Sequence, residues 1–287
     1  MKKIFIIFTL SFFLTTLFAQ QDSLRVKSKA VRFTFGTTTL IDNNTTETLY
    51  KGSIELQIHH RFSLIENYHN LFGIYGSANT RIGLSYGITD RIMIGIGTTK
   101  DYQLQDIQWK YAILRQTEDN KIPVSLSYYG NMVIDARSKD NFGPEESFRT
   151  IHRLSYFTQL IVARKINDMF SVQVAPSLTY FNSVPQNIDS TSGYKNLNFG
   201  ISAGARANLF GSHSVIIEYD QLLTRQDIAV QPKPNLSLGW EIGTATHSFQ
   251  VFVANYNQII NQRNLVFNTN DWEKGQWLVG FNIHVRF

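Results

Sequence analysis

From residue 53 onward the chain repeats one pattern: apolar or aromatic side chains at every second position, small or polar ones between, then a turn. In residues 77–88 one set is Ile82, Leu84, Tyr86 and Ile88, and the other is Asn79, Arg81, Gly83, Ser85 and Gly87. Thr89-Asp90 leads straight into 91–99, where Ile92, Ile94 and Ile96 alternate with Gly95, Gly97 and Thr99. The same reading gives segments near 53–62, 106–114, 123–133, 150–163, 170–181, 196–209, 214–223, 235–243, 248–256 and 276–287. Each is close to the length of a tilted membrane strand, about 9–11 residues.

Alternation alone also fits a soluble sandwich, so the chemistry of the two faces decides. The apolar sets carry no formal charge: Ile107, Trp109, Tyr111 and Ile113; Val124, Leu126 and Tyr128; Leu154, Tyr156, Leu160 and Val162; Leu197, Phe199, Ile201, Ala203 and Ala205. Arg or Lys at a bilayer midplane costs about 2–4 kcal/mol, which accounts for their absence from a lipid face. Phe62, Tyr86, Tyr180, Trp240 and Trp277 sit on that face near segment ends, as interfacial girdles do. Connections alternate too. They are short after segments 2, 4, 6, 8 and 10 and longer after 1, 5, 7, 9 and 11, with the short link after segment 3 as the exception. Short periplasmic turns and long external loops give that rhythm. The expected fold is all-β: a transmembrane antiparallel up-and-down β-barrel of about twelve strands over residues 52–287.

The two ends of the chain refine the picture. Lys2 and Lys3, an apolar run from 4 to 18 and Ala19 read as a signal peptide over residues 1–19, too short for a spanning helix of about 20 residues. In the last segment Trp277, Val279, Phe281, Ile283, Val285 and Phe287 share one parity. Such a strand resembles the insertion signal of outer-membrane barrels, with Trp277, Phe281 and Phe287 as its aromatic marks. The barrel-assembly machinery and outer-membrane lipids are the partners this implies, and the cell outer membrane is the expected location. Residues 20–51 fit none of the twelve segments. A periplasmic lead-in, a segment folded into the lumen and an extra strand all remain open for them.

Composition removes other classes. The chain has no cysteine, so disulfides and thiolate chemistry are excluded. Mean hydropathy is −0.16, and beyond the leader no apolar run reaches helical spanning length. A formal net charge of +5 is too small and too dispersed to argue for nucleic acid.

Candidate chemistry therefore lies on the inward parity. Arg61, Arg81, Arg91, Lys110, Arg206 and Arg286 are assigned there with Glu55, Asp106, Glu218, Asp220 and Glu241. These charges either pair and close the lumen or line a narrow polar pore. Arg206 is expected to meet Glu218 or Asp220 across the short turn between segments 8 and 9. His213 beside Ser212 and Ser214, and His247 beside Ser248, lack an evident third residue of a triad, so no enzyme, cofactor or metal is expected. His59 and His284 form the one His pairing of interest, on the two segments that close the barrel. Asp140, Glu145 and Glu146 could hold calcium, but a solvated charged loop is the plainer reading.

Residues 47–62 (Glu-Thr-Leu-Tyr-Lys-Gly-Ser-Ile-Glu-Leu-Gln-Ile-His-His-Arg-Phe) and 81–97 (Arg-Ile-Gly-Leu-Ser-Tyr-Gly-Ile-Thr-Asp-Arg-Ile-Met-Ile-Gly-Ile-Gly) resemble a β-barrel family of unknown function found in Bacteroidota. The resemblance continues through 109–116 and 247–255. It implies barrel and location and adds no site. Three functions remain: a channel for a small-molecule solute, first; a closed structural or ligand-docking barrel, second; a lipid-modifying enzyme, last.

Overall fold

The computed structural model describes residues 28–66, 68–142, 145–185 and 193–287; the expected signal peptide lies outside them. The alternating segments form β1 (Ile54–Leu64), β2 (Asn79–Thr89), β3 (Ile92–Thr99), β4 (Leu104–Leu114), β5 (Ser125–Asp135) and β6 (Leu154–Lys165). The second half gives β7 (Phe170–Phe181), β8 (Leu197–Phe210), β9 (His213–Leu222), β10 (Asn235–Gly243), β11 (His247–Ala254) and β12 (Leu278–Arg286). Each strand pairs antiparallel with its neighbours in sequence, and β1 pairs with β12 to close a twelve-stranded barrel. Closure leaves no free sheet edge, which an apolar solvent would not tolerate. Phe287 extends the seam, exchanging backbone hydrogen bonds with Ile54 at 2.9 and 3.2 Å.

Two-residue periodicity survives on both faces. Ile82, Leu84, Tyr86, Ile94, Ile96, Leu238 and Val251 are exposed on the outside, while Arg81, Ser85, Asp106, Gln108 and Lys110 are buried inside. Arg164, one residue from the end of β6, is an outward charge and stands at the rim. The predicted parity slips at one place. A bulge between Ala112 and Leu114 turns Leu114, not Ile113, to the exposed face. Replacing Leu84 by Arg, mid-strand on the lipid side, is expected to destabilise the inserted barrel by about 2–4 kcal/mol in bilayer unfolding, with Leu84→Ala far milder. Equal costs would refute the assignment of faces. Ser85 is no tolerant control for Arg, because its hydroxyl is packed inside under Gln108.

One end of the barrel carries short turns and the other long loops, and both ends send chain inward. Residues 33–49 form a hairpin that enters from the turn end and is almost wholly buried. Of the stretch 20–51, residues 33–49 lie in the lumen, and 20–27 lie outside the described residues. At the loop end the connection between β11 and β12 dips into the mouth with a short helix, α1 (Asn261–Phe267), which the sequence reading left as loop. Phe35, Leu40 and Ile41 pack with the inward Ile216, Phe252 and Ala254. Inward glycines make the room. A Cβ on Gly204 would stand 2.6 Å from Leu40, and one on Gly239 would stand 2.9 Å from Phe252 and 3.2 Å from Ile41.

Candidate functional site

The site is the filled lumen, and it starts from a turn. Thr39 bridges to Asn44, Leu40 N–H donates to Asn43 O at 2.9 Å, and Thr45 N–H donates to Thr38 O at 3.0 Å. Asp42, Asn43 and Asn44 suit this tight reversal because short polar side chains tolerate turn backbone and bond to it. The reversal leaves consecutive N–H groups pointing at the wall. Glu218 on β9 takes three of them, from Ile41, Asp42 and Asn43, at 3.1, 2.9 and 3.0 Å. A single buried carboxylate thus satisfies the donors at the hairpin tip.

Asp42 joins the inner and outer closing elements. Its Oδ1 receives Arg61 Nη2 at 2.6 Å, with both side chains essentially removed from solvent. Its Oδ2 accepts from Asn264 Nδ2 at 3.2 Å and its carbonyl from Asn261 Nδ2 at 3.1 Å, both on α1. Burial pushes the Asp42 carboxyl up to about 6, against the opposing pull of Arg61. Lower down, Lys110 Nζ donates to Thr38 O and Glu47 O at 2.6 and 3.1 Å, and Thr38 Oγ1 donates to Glu55 at 2.5 Å.

Three ion pairs stay within the wall: Arg81 with Asp106 and Arg206 with Glu241, at 2.6 and 2.7 Å, and Arg286 with Glu55 at 2.7 Å. Ten of the eleven expected charges therefore face inward. Arg91 does not. It stands exposed in the β2–β3 turn and donates to Ile113 O at 3.0 Å, because the turn takes it before β3 begins. Arg206 also departs from expectation by pairing with Glu241 rather than Glu218 or Asp220. Strand register explains this: Gly204 lies opposite Glu218 and Ser202 opposite Asp220, whereas Arg206 lies opposite Ile216, nearer the turn end.

The hairpin and α1 supply partners that the sequence reading did not assign. Asp42, Asn43 and Asn264 belong to stretches without a two-residue period, and a run of turn formers such as Asp42-Asn43-Asn44 reads as an ordinary loop. Only the surplus of inward polar side chains hinted that something polar must fill the space.

The histidines singled out in the sequence have partners of other kinds. His213 Nδ1 accepts from Trp240 Nε1 at 3.1 Å, and His247 Nδ1 lies 2.8 Å from Thr246 Oγ1. His59 and His284 do meet, ring centroids 5.6 Å apart, with Glu55 3.6 Å from His284 Nδ1. Among the described residues no three His, Asp or Glu side chains converge as metal ligands. Trp277, Phe281 and Phe287 share the outward parity, and Phe287 is largely exposed.

Little space remains inside. One lumenal cavity of ≈ 20 Å³ lies between Arg81, Asp106, Tyr129 and Asn261, and a second of ≈ 10 Å³ lies between Asp42, Asp220 and Asn264. Each has room for about one water.

Residues 35–287 match the profile of a family described as a membrane bound beta barrel domain (DUF5777). No curated protein matches the chain in sequence. Among solved structures, the NanC porin superposes with a TM-score of 0.52 at 9% identity, covering 82% of this chain and 98% of that one. The KdgM porin gives 0.45 at 8% identity, covering 82% and 99%. LpxR from Salmonella typhimurium gives 0.37 at 12% identity, covering 81% and 99%. At such identities the likeness is one of fold, that of outer-membrane barrels, and the outer membrane is where this chain resides.

Proposed function

The chain belongs to this membrane-bound β-barrel family, and from that premise we propose that it is a small-solute conduit that rests closed, its own residues 33–49 and α1 occupying the lumen. The observation that carries the reading is the chemistry of the wall behind the plug. Glu55, Gln57, Arg61, Arg81, Asp106, Gln108, Lys110, Asn198, Gln250 and Asn282 are all inward and buried. A small barrel is filled by its own wall side chains, whereas this twelve-stranded one is filled by inserted chain. A wall of charges and amides loses little when water replaces the plug, since each group can be hydrated instead. The plug is attached at the periplasmic rim: Lys51 N–H donates to the Asp90 carboxylate at 2.9 Å and Val31 N–H to Gln116 O at 2.8 Å. Those anchors lie apart from the tip, so its withdrawal would break its contacts with the wall and leave the strand pairing of the barrel intact.

We propose a non-enzymatic role, a reading supported by the partners of the turn histidines, Trp240 for His213 and Thr246 for His247. Single-channel recording in planar bilayers tests the reading. The intact protein should carry little steady current, and the unplugged barrel should conduct. A folded, unplugged barrel that stays silent would favour a permanently closed docking barrel instead.

The terminal aromatic strand is proposed as the contact for the assembly machinery. Deleting Phe287 should leave most of the protein in the periplasm on fractionation. Wild-type insertion of the deletion variant would remove that role from Phe287.

A further inference from the structure

We infer that the ≈ 10 Å³ cavity where the hairpin tip, α1 and strands β7 to β9 meet binds one calcium ion. The first observation is a local excess of negative charge. Asp42, Glu218 and Asp220 are all buried together at the tip, where three carboxylates face one paired cation, Arg61, so full ionisation of the three would leave two negative charges without a counter-charge. Hydrogen bonds satisfy Glu218 through three backbone N–H groups, and Asp220 accepts Asn43 Nδ2 at 2.7 Å and Asn235 Nδ2 at 3.3 Å. These bonds orient the carboxylates but add no positive charge. Uncompensated charge in a dry interior is costly, and either protons or a bound cation must offset it.

The second observation is independent of charge. Asn264 Oδ1 and Ser177 Oγ both line this cavity, both belong to residues at least nine-tenths buried, and neither has a hydrogen-bond partner. Buried polar atoms are rarely left without one. With Asp42, Asp220 and the Ser202 hydroxyl they form an oxygen-only donor set on five separate elements, the hairpin, α1, β7, β8 and β9. Oxygen donors without His or thiolate select a hard cation. A divalent ion brings the cluster to neutrality. Mg²⁺ keeps several of its waters, for which the cavity has no room, whereas Ca²⁺ accepts irregular oxygen shells directly. An ion here would tie the hairpin, which enters from the periplasmic end, to α1, which enters from the outside. The site depends only on the folded lumen, so it stands or falls separately from conduction.

Equilibrium dialysis of radioactive Ca²⁺ against the full barrel in detergent tests this. The expected result is one saturable site per chain with a Kd of about 10⁻⁴–10⁻³ M, the range of extracellular calcium modules. Asp220→Asn should abolish it. Ser177→Ala, which removes one oxygen from a rigid strand and leaves the fold unchanged, should weaken it several-fold. Asp140→Asn, in the exposed acidic loop, should leave it intact. Absence of saturable binding up to about 10 mM, tenfold above that range, would overturn the site and assign the compensation to protons. So would binding that Ser177→Ala leaves unchanged or that Asp140→Asn removes.

Discussion

Asp42→Ala is expected to release the hairpin tip, at a cost of about 3–5 kcal/mol to the docked lumen. The substitution strips Arg61 of the one carboxylate it pairs with among the described residues while its guanidinium remains buried, held by Asn282 Oδ1 at 2.9 Å and by the Phe252 ring 4.3 Å away. A buried charge that loses its partner costs far more than the pair contributes, because the desolvation already incurred is no longer offset. The same change removes one acceptor of Asn264 and so loosens α1, which keeps the Asn261 bond to the carbonyl of residue 42. Hydrogen exchange at the Ile41, Asp42 and Asn43 amides, now capped by Glu218, reads the release. At 1.4 kcal/mol per tenfold, exchange should accelerate by about two to three and a half orders of magnitude. Replacing both partners, Asp42→Leu with Arg61→Met, should recover most of the protection. If Asp42→Ala left exchange unchanged, the ion pair would not be what holds the tip.

The barrel was legible in the sequence for a physical reason. Lipid on one side and polar filling on the other impose a strict two-residue period, and a slip of one residue would turn every side chain to the wrong face. Ile82, Leu84 and Tyr86 could therefore be assigned from pattern alone, and the strand limits lie within a few residues of those expected. Errors collect where the period is broken. Arg91 was assigned by extending the β3 alternation into its turn, and Ile113 by extending the β4 alternation through a bulge.

The plug was legible only as an exception. Residues 33–49 satisfy their backbone groups against the barrel wall rather than in a ladder, so no local periodicity marks them. Their partners are remote: Ile41 meets Glu218 from 177 positions away, and Asn282 Nδ2 reaches Ile41 O across 241. Inward charges pair within the wall at Arg81 with Asp106, Arg206 with Glu241 and Arg286 with Glu55, but not at Glu218, Asp220 and Lys110. Those three bond to the hairpin, which the charge count had left out.

Removing residues 33–46 and replacing 258–270 by a short Gly-Ser link should turn a silent barrel into a conducting one, the largest functional change expected of any variant. Neither cut touches a strand, so the closed seam from β1 to β12 is retained. What remains inside is a ring of mixed charge, Arg61, Arg81 and Lys110 facing Glu55, Asp106 and Glu218, and water must enter to solvate it. Near balance of sign predicts a current with weak preference between cations and anions. Single-channel current through the intact and the doubly cut protein, side by side in one planar bilayer preparation, is the most direct measurement of closure by the chain's own residues. The account requires a near-silent intact protein and a stable, ohmic step from the cut one. A stable conductance from the intact protein would contradict it.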